Sequence, residues 1–285
     1  MGAPLDSKIL GGRGDRDDIL HRAMFALNGQ RPREALRCAE EILKVDPRHG
    51  QALRVFGSAL LMLDRAADAI APLEKAARQL RTAEADTVLA IALRKIGRNE
   101  DAVSKLKRAI KRRPPYAAAF HELGYLLFSL QRDNEAIEML RQGVQIAPMM
   151  PEMSIQLGYV FLRQRNCAEA KGAFARGLEI SPNSADALSG MAGAHQQIGE
   201  NEQAADYLRR YLRQRPHNVS AWISLGHCLL ELGQLEAGYD CFRTAAQAGP
   251  TSYGRALSSL ASAARGRLWL RPSHADLFLR RGKRN

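Results

Sequence analysis

The stretch from Trp222 to Pro250, WISLGHCLLELGQLEAGYDCFRTAAQAGP, contains two short apolar periodicities on either side of a glycine. Leu225 and Leu229, which are four residues apart, predict one face of a first helix. Gly233 suits the left-handed conformation that ends many helices, and a second apolar set follows at helical spacing. Two helices this short cannot bury both apolar faces by themselves. The stretch therefore predicts a helical pair that stacks on neighbouring pairs.

The same pattern recurs along the chain with a period of 34 residues. Its clearest marker is a proline that closes each unit: Pro114, Pro148, Pro182, Pro216 and Pro250. Pro47 lies 67 residues before the first of these, which leaves room for two further units, one of them a residue short. A fixed period of this length is typical of repeat architectures, so the sequence predicts a solenoid.

The unit resembles the tetratricopeptide repeat, whose pattern is W…LG…Y…A…F…A…P over about 34 residues. Seven copies align, and each has a small residue in its first helix: Ala23, Gly57, Ala90, Gly124, Gly158, Ala192 and Gly226. A second small residue opens each second helix: Ala35, Ala69, Ala102, Ala136, Ala170, Ala204 and Gly238. The resemblance covers roughly residues 16 to 252. It implies an all-α fold, a right-handed superhelical solenoid of helix-turn-helix repeats with a C-terminal capping helix.

Three regions are expected. Residues 1–15 are rich in glycine and have no helical period, which predicts a disordered N-terminal segment. The seven repeats are expected at 16–49, 50–82, 83–116, 117–150, 151–184, 185–218 and 219–252. Residues 253–285 are expected to form a capping helix and a basic tail, because a terminal repeat needs a cover for its apolar face.

The composition suggests a bacterial cytoplasmic protein. No run of 18 apolar residues appears, and the N-terminus lacks the basic and apolar regions of a secretory signal. The four cysteines have no CxxC pairing, which predicts buried thiols in a reducing compartment: Cys38, Cys167, Cys228 and Cys241.

In the tetratricopeptide family, a second stripe on each first helix lines a concave groove that holds a partner's peptide or helix. The corresponding residues here are Arg54, Val88, Ile91, His121, Tyr125, Phe128, Ile155, Gln156, Tyr159, Ser189, Ile223 and His227. An apolar and aromatic stripe that faces solvent is costly unless a partner covers it. Alternatively, these side chains pack against the first helix of the adjacent repeat. Ser189, Gly190 and Gly193 are expected to leave a hollow in the stripe.

The net charge of +12 is concentrated in residues 94–113 and 265–284. The second helix of the third repeat is expected to carry a basic patch: Lys105, Lys107, Arg108, Lys111 and Arg112. Such a patch can attract nucleic acid or an anionic membrane, with strong salt dependence. A solvated helix face is the other interpretation, and no nucleic-acid motif accompanies the patch.

No catalytic motif is present. The seven histidines form neither HExxH nor another metal-ligand spacing, and there is no phosphate-binding loop or GxSxG sequence. The sequence therefore predicts a non-enzymatic scaffold or adaptor that binds another protein, without a cofactor, a metal or a small-molecule ligand. Two alternatives stay open: a binder of anionic surfaces through the two basic stretches, and an accessory subunit that presents substrate to a separate enzyme.

Overall fold

The computed structural model describes residues 13–263 and 272–280, and every regular element in these ranges is an α-helix. The chain divides into two compact units, which meet in sequence at Ile146 and Ala147. Of the segment predicted to be disordered, residues 1–12 lie outside the described part of the chain. The first helix begins at Arg13, so the prediction of disorder is wrong for the last three residues of that segment.

Unit 1 consists of consecutive helices that pack in pairs. They are α1 (Arg13–Asn28), α2 (Pro32–Val45), α3 (Gly50–Met62), α4 (Ala66–Leu80), α5 (Ala83–Lys95), α6 (Asn99–Ala109), α7 (Ala117–Ser129) and α8 (Asp133–Ile146). Each of the first four predicted repeats thus contains one helical pair. We call the odd-numbered member the first helix of its repeat.

Unit 2 continues the pattern with α9 (Pro151–Arg163), α10 (Cys167–Ile180), α11 (Ala185–Gln197), α12 (Asn201–Gln214), α13 (Val219–Glu231), α14 (Leu235–Ala246), α15 (Pro250–Ala261) and α16 (Pro272–Arg280). Helix α15 begins at Pro250, earlier than the capping helix expected from residue 253, because proline suits the first turn of a helix. Helix α16 lies in the predicted basic tail. Leu260 of α15 and Leu279 of α16 share a buried cluster with Phe242 of α14, so both helices cover the seventh repeat.

Each of the seven turns inside a repeat contains one residue with positive φ: Gln30, Asp64, Gly97, Gln131, Arg165, Gly199 and Gly233. The left-handed turn predicted at Gly233 is therefore confirmed, with φ +76°. Four of the seven turns use a residue with a side chain at this position. The repeat thus fixes the backbone conformation of the turn more strictly than it fixes the amino acid.

The small residues of the first helices allow the second helices to approach closely, as predicted. A Cβ added at Gly226 would lie 2.7 Å from Cε2 of Phe242. One added at Gly158 would lie 2.7 Å from Cδ1 of Phe174, and one at Gly124 would lie 2.5 Å from Leu140. These distances are shorter than real Cβ contacts, so a larger residue at any of the three positions would overpack the helical pair.

All four cysteines are free and buried, as their spacing predicted. Burial raises the pKa of the Cys241 thiol to about 11, so this thiol stays protonated at neutral pH. Within residues 13–263 and 272–280, no helix is both long and apolar enough to cross a membrane.

Candidate partner-binding face

The first helices of unit 1 present one accessible aromatic side chain, Tyr125, among the residues predicted for the groove. Its side chain on α7 is 42% exposed. Half-buried side chains on α5 and α7 share the predicted stripe with it: Val88, Ile91, His121 and Phe128. We call Tyr125 and these four residues the Tyr125 face.

Arg94 of α5 completes the Tyr125 face, because its guanidinium carbon lies 5.0 Å from the centroid of the Tyr125 ring. The same guanidinium forms an ion pair with Glu122 of α7, at 3.5 Å from Nη2 to Oε2. Arg94 Nε is buried and has no hydrogen-bond partner among the described residues. The face therefore combines an accessible ring with a half-buried guanidinium that lies over it.

Arg54, also predicted for the groove, is buried, with 5% of its surface exposed. Its Nη1 donates to Oε1 of Glu84 at 2.7 Å, and its Nε donates to Oε1 of Gln51 at 3.0 Å. The interpretation of Arg54 as a solvent-facing residue is therefore wrong. Its guanidinium instead forms an ion pair between α3 and α5 inside unit 1.

The corresponding face of unit 2 is more closed. Ile155 and Ile223 are buried, so their predicted exposure is wrong. The hydroxyl of Tyr159 donates to the carbonyl oxygen of Asp186 at 2.7 Å, and its ring meets Phe174 edge-on at 5.0 Å. Burial raises the pKa of Tyr159 to about 12.

Polar residues occupy the rest of the unit 2 stripe. Gln156 and Ser189 are half-buried, and His227 packs edge-on against Phe242 at 5.1 Å between ring centroids. Burial lowers the pKa of His227, which favours its neutral form. The hollow predicted at Gly190 is absent, because Gly190 is buried against the ring of Phe174.

Two amides of α11, which the sequence analysis did not single out, connect successive first helices in unit 2. Gln197 Nε2 donates to the carbonyl oxygen of Leu162 at 3.2 Å, and Gln196 Nε2 donates to that of Ser224 at 3.3 Å. In the sequence, the only sign of these hydrogen bonds is the pair of adjacent glutamines at the end of a first helix. Their partners lie 28 and 35 residues away, which sequence spacing alone does not reveal.

The predicted basic patch is largely paired. Asp86 of α5 is fully buried and accepts hydrogen bonds from Arg108 and Arg112, the latter at 2.9 Å from Nε. Lys107 donates to Glu135 at 3.1 Å. Lys105 is half-buried and Lys111 is exposed. Three of the five side chains thus bind carboxylates of unit 1, and the patch is not a uniform cationic surface.

The second basic stretch, residues 265–284, falls mostly outside the described residues. Within it, Arg280 pairs with Asp276 at 2.8 Å. Among residues 13–263 and 272–280, no group of three histidine, cysteine, aspartate or glutamate side chains is arranged to hold a metal ion.

These observations define an all-α repeat protein built from stacked helical pairs. Residues 22–84, 87–151 and 190–253, which together make up more than half of the chain, match the family model described as tetratricopeptide repeat. The chain belongs to the tetratricopeptide repeat family. Members of this family are generally non-catalytic scaffolds for protein interactions.

Solved structures show the same fold. The pilF protein of Pseudomonas aeruginosa is 17% identical, with a TM-score of 0.63 over 70% of this chain and 92% of its own. YrrB, described as a TPR protein with an unusual peptide-binding site, is 19% identical, with a TM-score of 0.52 over 64% and 95%. TTC0263 of Thermus thermophilus is 25% identical, with a TM-score of 0.54 over 64% and 99%. A comparison with curated protein sequences finds no significant match.

Proposed function

We propose that this protein is a scaffold that binds a peptide or helix of a partner protein, and that the Tyr125 face of unit 1 is its contact surface. The observation that supports this most directly is the exposed ring of Tyr125 beneath the guanidinium of Arg94. Rigid aromatic rings and arginines are the residue types that dominate binding energies at interfaces. In unit 2 the equivalent tyrosine is engaged by its own repeats.

The Tyr125 face suits a partner segment with an apolar side chain. Ile91 and Phe128 offer half-buried apolar surface beside the ring. Glu122 neutralises part of the arginine charge, so the face favours a segment that is close to neutral at this point.

The test is a capture experiment on the full chain with Tyr125→Ala. Partners that bind the wild-type protein are identified by affinity purification and mass spectrometry, and their affinity for each variant is then measured. Loss of a buried aromatic anchor typically costs about 2 kcal/mol, or roughly 30-fold in Kd. We expect a loss of this size, with an unchanged thermal melt.

The chain offers a matched control in Phe25→Ala. Phe25 of α1 is also an exposed ring, 71% exposed, and the guanidinium carbon of Arg31 lies 5.4 Å from its centroid. It lies outside the Tyr125 face, so its removal should leave capture intact. Equal losses in both variants would mean that exposed aromatic area in general, and not this face, retains the partner.

The other interpretations from the sequence stay as predictions. Gln156, Ser189 and His227 form a separate, more polar candidate surface in unit 2. Binding to nucleic acid or membranes through the basic patch has less support, because three of its five side chains are paired. An accessory role would appear as co-purification of one enzyme, and a cytoplasmic location stays an expectation.

A further inference from the structure

Unit 1 contains a cleft of about 500 Å³ between the start of α5 and the connection from α6 to α7. That connection, residues 110–116, is the longest between consecutive repeat helices within either unit. The charged side chains that line the cleft are Arg81, Glu84, Lys111, Arg112 and Arg113. We call it the basic cleft.

Two of these five charged side chains already have an ion-pair partner. Glu84 accepts from Arg54 at 2.7 Å, and Arg112 donates to the buried Asp86 at 2.9 Å. The remaining three, Arg81, Lys111 and Arg113, are exposed, and no described carboxylate lies within ion-pair distance of them. The cleft therefore has an uncompensated charge of about three cations.

The basic cleft differs from a groove that grips a carboxylate with side chains of successive first helices. Its unpaired cations come from the residue after α4 and from the connection after α6. Arg81 has a left-handed backbone, with φ 51°, and thereby ends α4 beside the cleft.

The size and lining of the cleft favour a polypeptide over nucleic acid. Proteins that bind a duplex neutralise many phosphates along an extended surface, and those that bind single strands add accessible aromatic stacking platforms. Here three unpaired cations line one cleft of about 500 Å³, and its aromatic side chain, Tyr116, is half-buried.

The basic cleft and the Tyr125 face can be reached by one segment. Tyr116 lines the cleft and directly precedes α7, so at about 1.5 Å per residue it lies roughly 14 Å from Tyr125 along that helix. An extended chain covers this distance with about five residues. A single partner segment can therefore place an apolar residue on Tyr125 and acidic residues in the cleft.

We propose that the partner segment is acidic at one end, and that its glutamate or aspartate side chains bind Arg81, Lys111 and Arg113 in the basic cleft. This inference rests on the proposed function, because it specifies the chemistry of the segment that the Tyr125 face binds. Exposed charge pairs contribute modestly one by one. Together, three such pairs determine which segment is selected and speed its association.

The test uses an array of labelled peptides of about eight residues, which span about 26 Å when extended. Each has an acidic block and an apolar block at varied separation, and each has a twin with glutamine in place of every glutamate. Binding is measured by fluorescence anisotropy to the wild-type chain and to the cleft variant Arg81→Gln, Lys111→Gln, Arg113→Gln. The matched control variant is Arg33→Gln, Arg37→Gln, Lys44→Gln, which removes three exposed cations from α2.

We expect the wild-type chain to bind acidic peptides about tenfold more tightly than their glutamine twins, and added salt to reduce the difference. The cleft variant should lose this preference, and the control variant should keep it. Absence of any binding, absence of the preference in the wild-type chain, or its persistence in the cleft variant would overturn the proposal. A single-stranded oligonucleotide that binds more tightly than every peptide, and only when the cleft is intact, would also overturn it.

A parallel measurement with Tyr125→Ala separates this inference from the proposed function. If Tyr125→Ala weakens all peptides while acidic and glutamine twins bind alike, the Tyr125 face stands and the cleft inference fails. If the acidic preference and the affinity both survive Tyr125→Ala, the cleft binds acidic segments by itself and the Tyr125 face is not the contact surface.

Discussion

Tyr125 and Tyr159 occupy the same position of two successive repeats, yet their environments differ. Tyr125 on α7 is 42% exposed and lies against Arg94. Tyr159 on α9 is half-buried, donates to the carbonyl oxygen of Asp186 and meets the ring of Phe174. The repeat pattern therefore places a tyrosine on the first helix, but side chains outside the pattern decide whether it is available to a partner.

The side chains responsible can be identified. The position equivalent to Phe174 of α10 is Leu140 of α8, which fills the space beside Gly124 without offering a ring edge to Tyr125. In unit 2, Phe174 lies against two glycines, Gly158 of α9 and Gly190 of α11. A ring whose edge lies against two glycines gives Tyr159 a rigid neighbour, whereas the more flexible Leu140 offers no such contact to Tyr125.

The largest effect is expected from Gly158→Leu. A Cβ at this position already lies 2.7 Å from Phe174, and the same edge of that ring also lies against Gly190. We expect a loss of about 3 kcal/mol in the free energy of unfolding, at the upper end of overpacking costs. Chemical denaturation monitored by hydrogen exchange should show that the loss is greatest in the repeats that contain Phe174 and its neighbours.

Gly124→Leu is the matched control, because its contact is the end of a flexible leucine, Leu140. It should cost less than Gly158→Leu. Equal losses would mean that the glycine of the repeat, and not the fixed ring of Phe174, determines the tolerance to larger residues.

The second prediction compares Tyr159→Ala with Tyr125→Ala in a thermal melt. Removal of the Tyr159 ring should cost about 2 kcal/mol, less than for a fully buried aromatic residue because Tyr159 is only half-buried. Tyr125→Ala should change stability by less than about 0.5 kcal/mol, as is usual for exposed positions. If Tyr125→Ala destabilises the protein as much as Tyr159→Ala, both tyrosines are structural. That result would contradict the proposal that Tyr125 contacts a partner.

Most of the fold could be predicted from the sequence, because the features that build it recur every 34 residues. The small residues at Gly158 and Gly226 and the left-handed turn at Gly233 were all identified from spacing. Each depends on contacts within one repeat, where local sequence and structure are closely coupled.

The candidate site was less predictable, because it depends on contacts between repeats. Ile155 and Ile223 occupy positions of the predicted stripe but are buried. Asp86 looks like an ordinary first-turn acid, and only the structure shows that it binds Arg108 of α6 and Arg112 of the connection after α6. Side chains on one helical face are identified by periodicity, whereas the residues that cover that face are not.

A third, smaller effect is expected from Tyr159→Phe, which keeps the ring and removes only the hydroxyl. The lost hydrogen bond to Asp186 leaves a carbonyl oxygen without its tyrosine donor, at a cost of about 1 kcal/mol. Tyr125→Phe should not change the denaturation midpoint measurably. A neutral result for Tyr159→Phe would show that ring packing against Phe174 alone holds this tyrosine in place.

The smallest and most specific effect is expected at alkaline pH. Burial raises the pKa of Tyr159 from 10.0 to about 12, so the folded protein keeps this proton after the unfolded chain has lost it. The stabilisation from the protonated hydroxyl is fully present below pH 10 and is lost as pH rises from 10 to about 12, because the folded state binds more protons over that interval.

Ultraviolet titration of tyrosinate should show one late-ionising tyrosine that is missing from Tyr159→Phe. Subtraction of the variant is needed because burial also raises the pKa of Tyr116 and Tyr253. Identical titration curves for the wild-type protein and Tyr159→Phe in this range would show that the Tyr159 hydroxyl is open to solvent, and the contrast with Tyr125 would then disappear.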